Sequence, residues 1–211
     1  MTAVWSYNSD KTYQIAYASV TGAAYTSYTL SYGANGKAAS ATYSNGMTAV
    51  WSYNSDKTYQ IAYAGVTGAG YTSYTVQYDA SGRATSASYG DGMTKSWTYN
   101  NDGSYQVVSA HIQGAGYTGN TVQYGANAKA ISAAYDNGMA AVWTYNPGGS
   151  YRIDYTQVPN AAYSAYTVQY GANGKAASAA YDNGMTKTWS YQADGAYALS
   201  VSPAAGANYL S

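Results

Sequence analysis

The chain has 211 residues, nine basic and nine acidic side chains, a formal net charge of zero, and only 9% charged residues. This balance lacks the clustered basic surplus that phosphate neutralisation requires, so nucleic acid is not an expected partner. With no Cys there are no disulfides and no thiolate chemistry, and no apolar run approaches the roughly 20 residues of a membrane-spanning helix.

The sequence beginning Met1-Thr2-Ala3-Val4-Trp5-Ser6-Tyr7 returns at Met47, Met93, Met139 and Met185, in steps of 46 residues. The chain therefore reads as a single tandem-repeat domain over 1–211, with repeats 1–46, 47–92, 93–138 and 139–184 and a partial repeat over 185–211. No leader pattern precedes the first repeat. Tyr209 stands where Tyr25, Tyr71, Tyr117 and Tyr163 stand, and natural arrays usually end in atypical caps. The expectation is a fragment of a longer array.

Along repeat two, period-two alternation predicts four strands, at about 47–54, 58–66, 74–79 and 83–89. Turn residues separate them, such as Asn54-Ser55-Asp56-Lys57 and Ala80-Ser81-Gly82-Arg83, and Gly90-Asp91-Gly92 follows the fourth; these residue types tolerate positive φ. Four and a half repeats then give about eighteen strands. The expected fold is all-β, an antiparallel β-hairpin meander with four strands per repeat. Trp51, Tyr53, Tyr59, Ile61, Tyr63, Tyr74, Val76 and Tyr78 fall on one face; Ser52, Gln60, Ala62, Thr75 and Gln77 fall on the other. An aromatic face of that length is costly to leave wet. The sheet is therefore expected to curl into a barrel or a superhelical shell, with closure of a single-chain barrel preferred. The alternative is a β-propeller, whose four-stranded blades have a similar period.

The chain holds 29 Tyr and 5 Trp but no Phe, which asks for rings with one wet end. Trp5, Trp51, Trp97, Trp143 and Trp189 recur at the repeat spacing. They are the candidate aromatic ligand platform, able to stack on sugar rings, and equally the largest inward knob of each repeat, where they would be mostly buried. His111 is the one histidine, and its counterparts are Ser19, Gly65 and Gln157. Without a recurring base or nucleophile it is a poor catalytic candidate. Turns such as Asn101-Asp102-Gly103 offer calcium one carboxylate each, too few for its six to eight oxygens. No catalytic residue, cofactor or metal is expected, and the chain is not expected to be an enzyme.

Tyr78-Asp79-Ala80-Ser81-Gly82-Arg83 resembles the signature of YD repeats, the tyrosine-aspartate repeats of Rhs proteins and teneurins. Tyr32-Gly33-Ala34-Asn35-Gly36-Lys37 and Tyr170-Gly171-Ala172-Asn173-Gly174-Lys175 are similar. In that family the repeats wind into spiral β-sheet shells that enclose a passenger or present a surface. The resemblance implies a non-catalytic structural or interaction scaffold, from a larger bacterial surface or secreted protein. The expected partners are a protein or a glycan, or a second copy joined head to tail through open strand edges. The alternative function is a carbohydrate-binding propeller that uses the repeated Trp and Tyr.

Overall fold

A computed structural model describes residues 1–203; Tyr209, on which the truncated-array expectation rests, lies outside the described residues. The chain divides into two units, 1–97 and 98–211. The first holds β1 (Thr2–Tyr7), β2 (Tyr13–Ala18), β3 (Ser27–Tyr32), β4 (Ala38–Tyr43), β5 (Thr48–Tyr53), β6 (Tyr59–Ala64), β7 (Ser73–Tyr78) and β8 (Ala84–Tyr89), and β9 (Thr94–Tyr99) runs across the division. The second holds β10 (Tyr105–Ala110), β11 (Asn120–Tyr124), β12 (Ala130–Tyr135), β13 (Ala140–Tyr145), β14 (Tyr151–Thr156), β15 (Tyr166–Tyr170), β16 (Ala176–Tyr181), β17 (Thr186–Tyr191) and β18 (Tyr197–Ser202). The described residues contain these eighteen strands and no helix. In each unit every strand is antiparallel to its chain neighbours.

One turn device serves most of the tight connections. An Asp or Asn side chain accepts the backbone N–H two residues on: Asp10 from Thr12, Asn35 from Lys37, and Asn45 from Met47, at 3.0–3.1 Å. The residue between has positive φ, at Lys11, Gly36 and Gly46. Such a turn closes a short hairpin with matching twist. Asp79 does more: its Oδ1 accepts the N–H groups of Ser81 and Arg83, and its Oδ2 accepts Arg83 Nε at 2.9 Å. A bulge recurs just before the turn between the third and fourth strands of each full repeat, between Ser31/Tyr32, Gln77/Tyr78, Gln123/Tyr124 and Gln169/Tyr170.

The core lies on the aromatic face and is built from large side chains lying over small ones. Ala41, Ala49 and Ile61 are buried, with Leu30, Trp51, Tyr59 and Tyr63 packed on them. Ala133, Ala141 and Ile153 repeat this beneath Val122, Trp143 and Tyr151. Tyrosines from adjacent strands then cover one another. Tyr59 and Tyr78 stack at 4.6 Å and Tyr63 and Tyr74 at 4.4 Å, with equivalent pairs in the fourth repeat. Stacked pairs add about 0.5–1.5 kcal/mol beyond their burial. The opposite face is held by polar pairs, such as Gln77 to Gln60 at 2.7 Å.

Two expectations are corrected here. The sheet does not close into a barrel: among the described residues β1 pairs only with β2 and β18 only with β17, and both strands are exposed throughout. Closure was argued from the cost of a wet aromatic face, but the rings shelter that face by lying on each other. The propeller also fails. β4 pairs with β5 across a repeat boundary, as β12 does with β13 and β16 with β17, so the repeats share a ladder instead of forming separate blades.

The third repeat breaks the tyrosine pattern. Ser109 and Asn120 stand in register where Tyr63 pairs with Tyr74 and Tyr155 with Tyr166. Ser109 is buried, and Asn120 Oδ1 is buried without a hydrogen-bond partner. An orphaned buried acceptor costs about 1–3 kcal/mol. Asn120→Tyr is expected to remove that cost and stack on Tyr135, raising stability by about 1–2 kcal/mol in urea unfolding.

Candidate functional site: clefts at the repeat seams

Strands within a repeat pair over most of their length; β5 and β6 match at six positions, from Thr48↔Ala64 to Tyr53↔Tyr59. Strands across a repeat boundary do not. β4 and β5 match only at Ser40↔Val50, Ala41↔Ala49 and Thr42↔Thr48. The same three-position ladder joins β12 to β13 and β16 to β17. The second half of β5, including Trp51 and Tyr53, therefore has no ladder to the preceding repeat.

A cleft opens in each of two seams. One, of about 130 Å³, is lined by Asn35, Lys37, Ala39, Trp51 and Tyr53. The other, of about 320 Å³, is lined by Asn127, Lys129, Ile131, Trp143 and Tyr145. Lys37 Nζ lies 4.6 Å from the Tyr53 ring centre and Lys129 Nζ 4.8 Å from that of Tyr145, so a cation–π contact spans each open seam. Lys175 lies over Tyr191 in the same way at 4.7 Å.

The structure places the five tryptophans of the sequence pattern as follows. Trp51, Trp97, Trp143 and Trp189 are partly buried and Trp5 is exposed. Trp51 and Trp143 pack on the buried alanines of their seams. Trp51 and Trp143 are brought together with Lys and Tyr in the clefts. The lysines are the part that sequence reading missed; their recurrence with the Gly-Lys turn was the available signal.

Hollows on the opposite face hold less promise as a site, because their polar groups already bind each other. In the hollow of about 350 Å³ beside Thr121, Asp136 accepts hydrogen bonds from the Thr118 hydroxyl and backbone N–H. In the matching hollow of about 330 Å³, Asp182 accepts from Ser164 and Ala165. The Thr118 and Ser164 hydroxyls hold these two carboxyls below the usual carboxylate range. Among the described residues no three His, Asp or Glu side chains come together to hold a metal.

His111 is exposed, at φ +57°, a left-handed position that Ser19, Gly65 and Gln157 share. Backbone geometry thus governs this site, and a residue with a Cβ is strained there. His111→Gly is expected to raise stability by about 0.5–1 kcal/mol, read as a shift in the urea midpoint at constant slope.

No protein-family model matches the chain, and no curated protein matches it. Among solved structures it is similar to TcdB2-TccC3-Cdc42, with a TM-score of 0.41 and 13% identity over 92% of this chain. It is similar to TcdB2-TccC3 without the hypervariable C-terminal region, with a TM-score of 0.40, 13% identity and 92% coverage. For TcdB2-TccC3 itself the values are 0.39, 12% and 86%. The chain spans 12% of the length of each of these structures. Likeness at this level assigns neither family nor function.

Proposed function

We propose that the chain is a non-catalytic scaffold of tandem β-hairpins, a section of a larger bacterial surface or secreted protein that presents a repeated face to a protein or glycan partner. The observation that carries this reading is the rebuilding of one solution, repeat after repeat. The same four-strand pattern, turn positions and bulge return every 46 residues, and the alanine bed with its tyrosine stacks is rebuilt at two of the seams. The side chains that could do chemistry are engaged in that solution, with turn aspartates on backbone N–H groups and phenols on neighbouring rings. The Tyr78-Asp79…Arg83 turn supports the YD-repeat reading of this role, since its carboxylate and guanidinium serve turn closure. A chain free of Cys suits an exported protein. Among the described residues the outer sides of β1 and β18 carry no paired strand, which supports pairing with a second copy.

A scaffold tolerates cargo in its loops. A foreign peptide inserted between Gly114 and Ala115, both exposed, is expected to leave the β spectrum intact and shift stability by less than about 1 kcal/mol. Loss of cooperative unfolding on insertion would sink this reading. Sedimentation over a wide concentration range reads the self-pairing: growth with concentration supports it, and a constant monomer refutes it.

A further inference from the structure

Each seam cleft brings three features together. Each has a half-buried indole, Trp51 or Trp143, that forms part of the cleft wall. Each has an exposed tyrosine, Tyr53 or Tyr145, at 37% exposure. Each has a lysine with no carboxylate: among the described residues the ion pairs are Arg83–Asp79 and Arg152–Asp154, and neither cleft lining contains an acid. The polar inventory is dominated by donors. The lysine ammonium, the indole N–H and the tyrosine hydroxyl are joined by an asparagine whose side-chain oxygen already accepts the lysine backbone N–H, at 3.0 Å for Asn35 and 3.1 Å for Asn127. Such a cleft suits a ligand with one apolar face and an anionic, acceptor-rich edge.

We propose that the seam clefts bind the uronate residues of an acidic polysaccharide, the pyranose ring stacking on the seam tryptophan and its carboxylate meeting the seam lysine. The sites are Trp51 with Lys37, Trp143 with Lys129, and the matching seam of Trp189 with Lys175. Recurrence suits a polymer. In the second unit the seam strands β13 and β17 are four strands apart, roughly 19 Å at the usual strand spacing. Two weak sites on one chain then act with a high effective concentration. The whole protein carries no net charge, so attraction is local to the lysines and is screened by salt.

The test uses the full chain with a galacturonic acid oligosaccharide and a neutral glucose oligosaccharide of equal length, followed by tryptophan fluorescence and calorimetry. The acidic probe is expected to bind at least about tenfold more tightly than the neutral one and to shift the tryptophan emission. The triple variant Lys37→Gln, Lys129→Gln, Lys175→Gln is expected to weaken the acidic probe about tenfold or more, with an unchanged β spectrum. Arg83→Gln is the control: its guanidinium already faces Asp79, and binding should stay within about twofold. Equal binding of both probes, no binding up to about 10 mM, or full binding by a folded triple variant would each overturn the proposal.

Discussion

Ala49→Lys is expected to destabilise the protein by about 3 kcal/mol or more, and Tyr63→Val added to it is expected to recover part of that loss. Ala49 is completely buried and faces Tyr63 across the strands. A lysine placed there is overpacked and carries an unpaired charge into the core. Yet Lys95 and Lys187 occupy this same repeat position. In both cases the residue fourteen positions later is small, Ser109 or Val201, where Ala3, Ala49 and Ala141 are followed by Tyr17, Tyr63 and Tyr155. Lys187 and Val201 are cross-strand partners, and Lys187 Nζ reaches to 5.4 Å from the Tyr181 ring centre. The pair exchanges volume: a long residue at one position needs a short one at the other. Tyr63→Val alone forfeits the stack with Tyr74 and should cost about 2 kcal/mol. In the lysine background the same change should gain about 1–2 kcal/mol, a reversal of sign that a urea double-mutant cycle reads directly. Additive losses would show that no exchange exists.

Raising the pH is expected to unfold the protein cooperatively, starting near pH 10. Burial first, and then neighbouring phenols, push the Tyr63 and Tyr166 hydroxyls up to about 12, and Tyr155 shifts in the same direction. An unfolded tyrosine ionises near 10. Between these values the unfolded chain has lost protons that the folded chain still holds, so stability falls as pH rises. It is complete below pH 10 and is lost through the folded values. Phenolate absorbance and circular dichroism, followed together, should show the last tyrosines ionising in step with loss of structure. Smooth ionisation of every tyrosine in a protein still folded above pH 12 would contradict this.

The strand pattern was legible because its causes are local. Alternation placed strands over 47–54 and 58–66, and they form over Thr48–Tyr53 and Tyr59–Ala64. Turn chemistry at Asn54–Lys57 and Ala80–Arg83 did the rest. Closure is not legible in the strand pattern, because the sheltering comes from contacts between strands, of Tyr59 on Tyr78 and of Trp51 on the cluster of Ala41, Ala49 and Ile61. The half-paired seam was invisible for a different reason. The pairing register across a repeat boundary shows only once the strands are placed side by side. Lys37 therefore read as a turn residue and an edge charge, not as one wall of a cleft.

The three-position ladder at each repeat boundary has a mechanical meaning. Pulled apart across the strands, an array of this kind has lines of weakness at fixed intervals, where three residue pairs, helped at three of the seams by a lysine resting on a ring, bear what five or six pairs bear elsewhere. It should tear there first, parting Ala41 from Ala49 and opening the alanine bed, while the tyrosine stacks within each repeat stay whole. A break of that kind leaves paired hairpin sets on both sides, which rejoin by closing one short ladder and its alanine contact, so the extension of such a sheet under load would proceed in equal steps of one repeat.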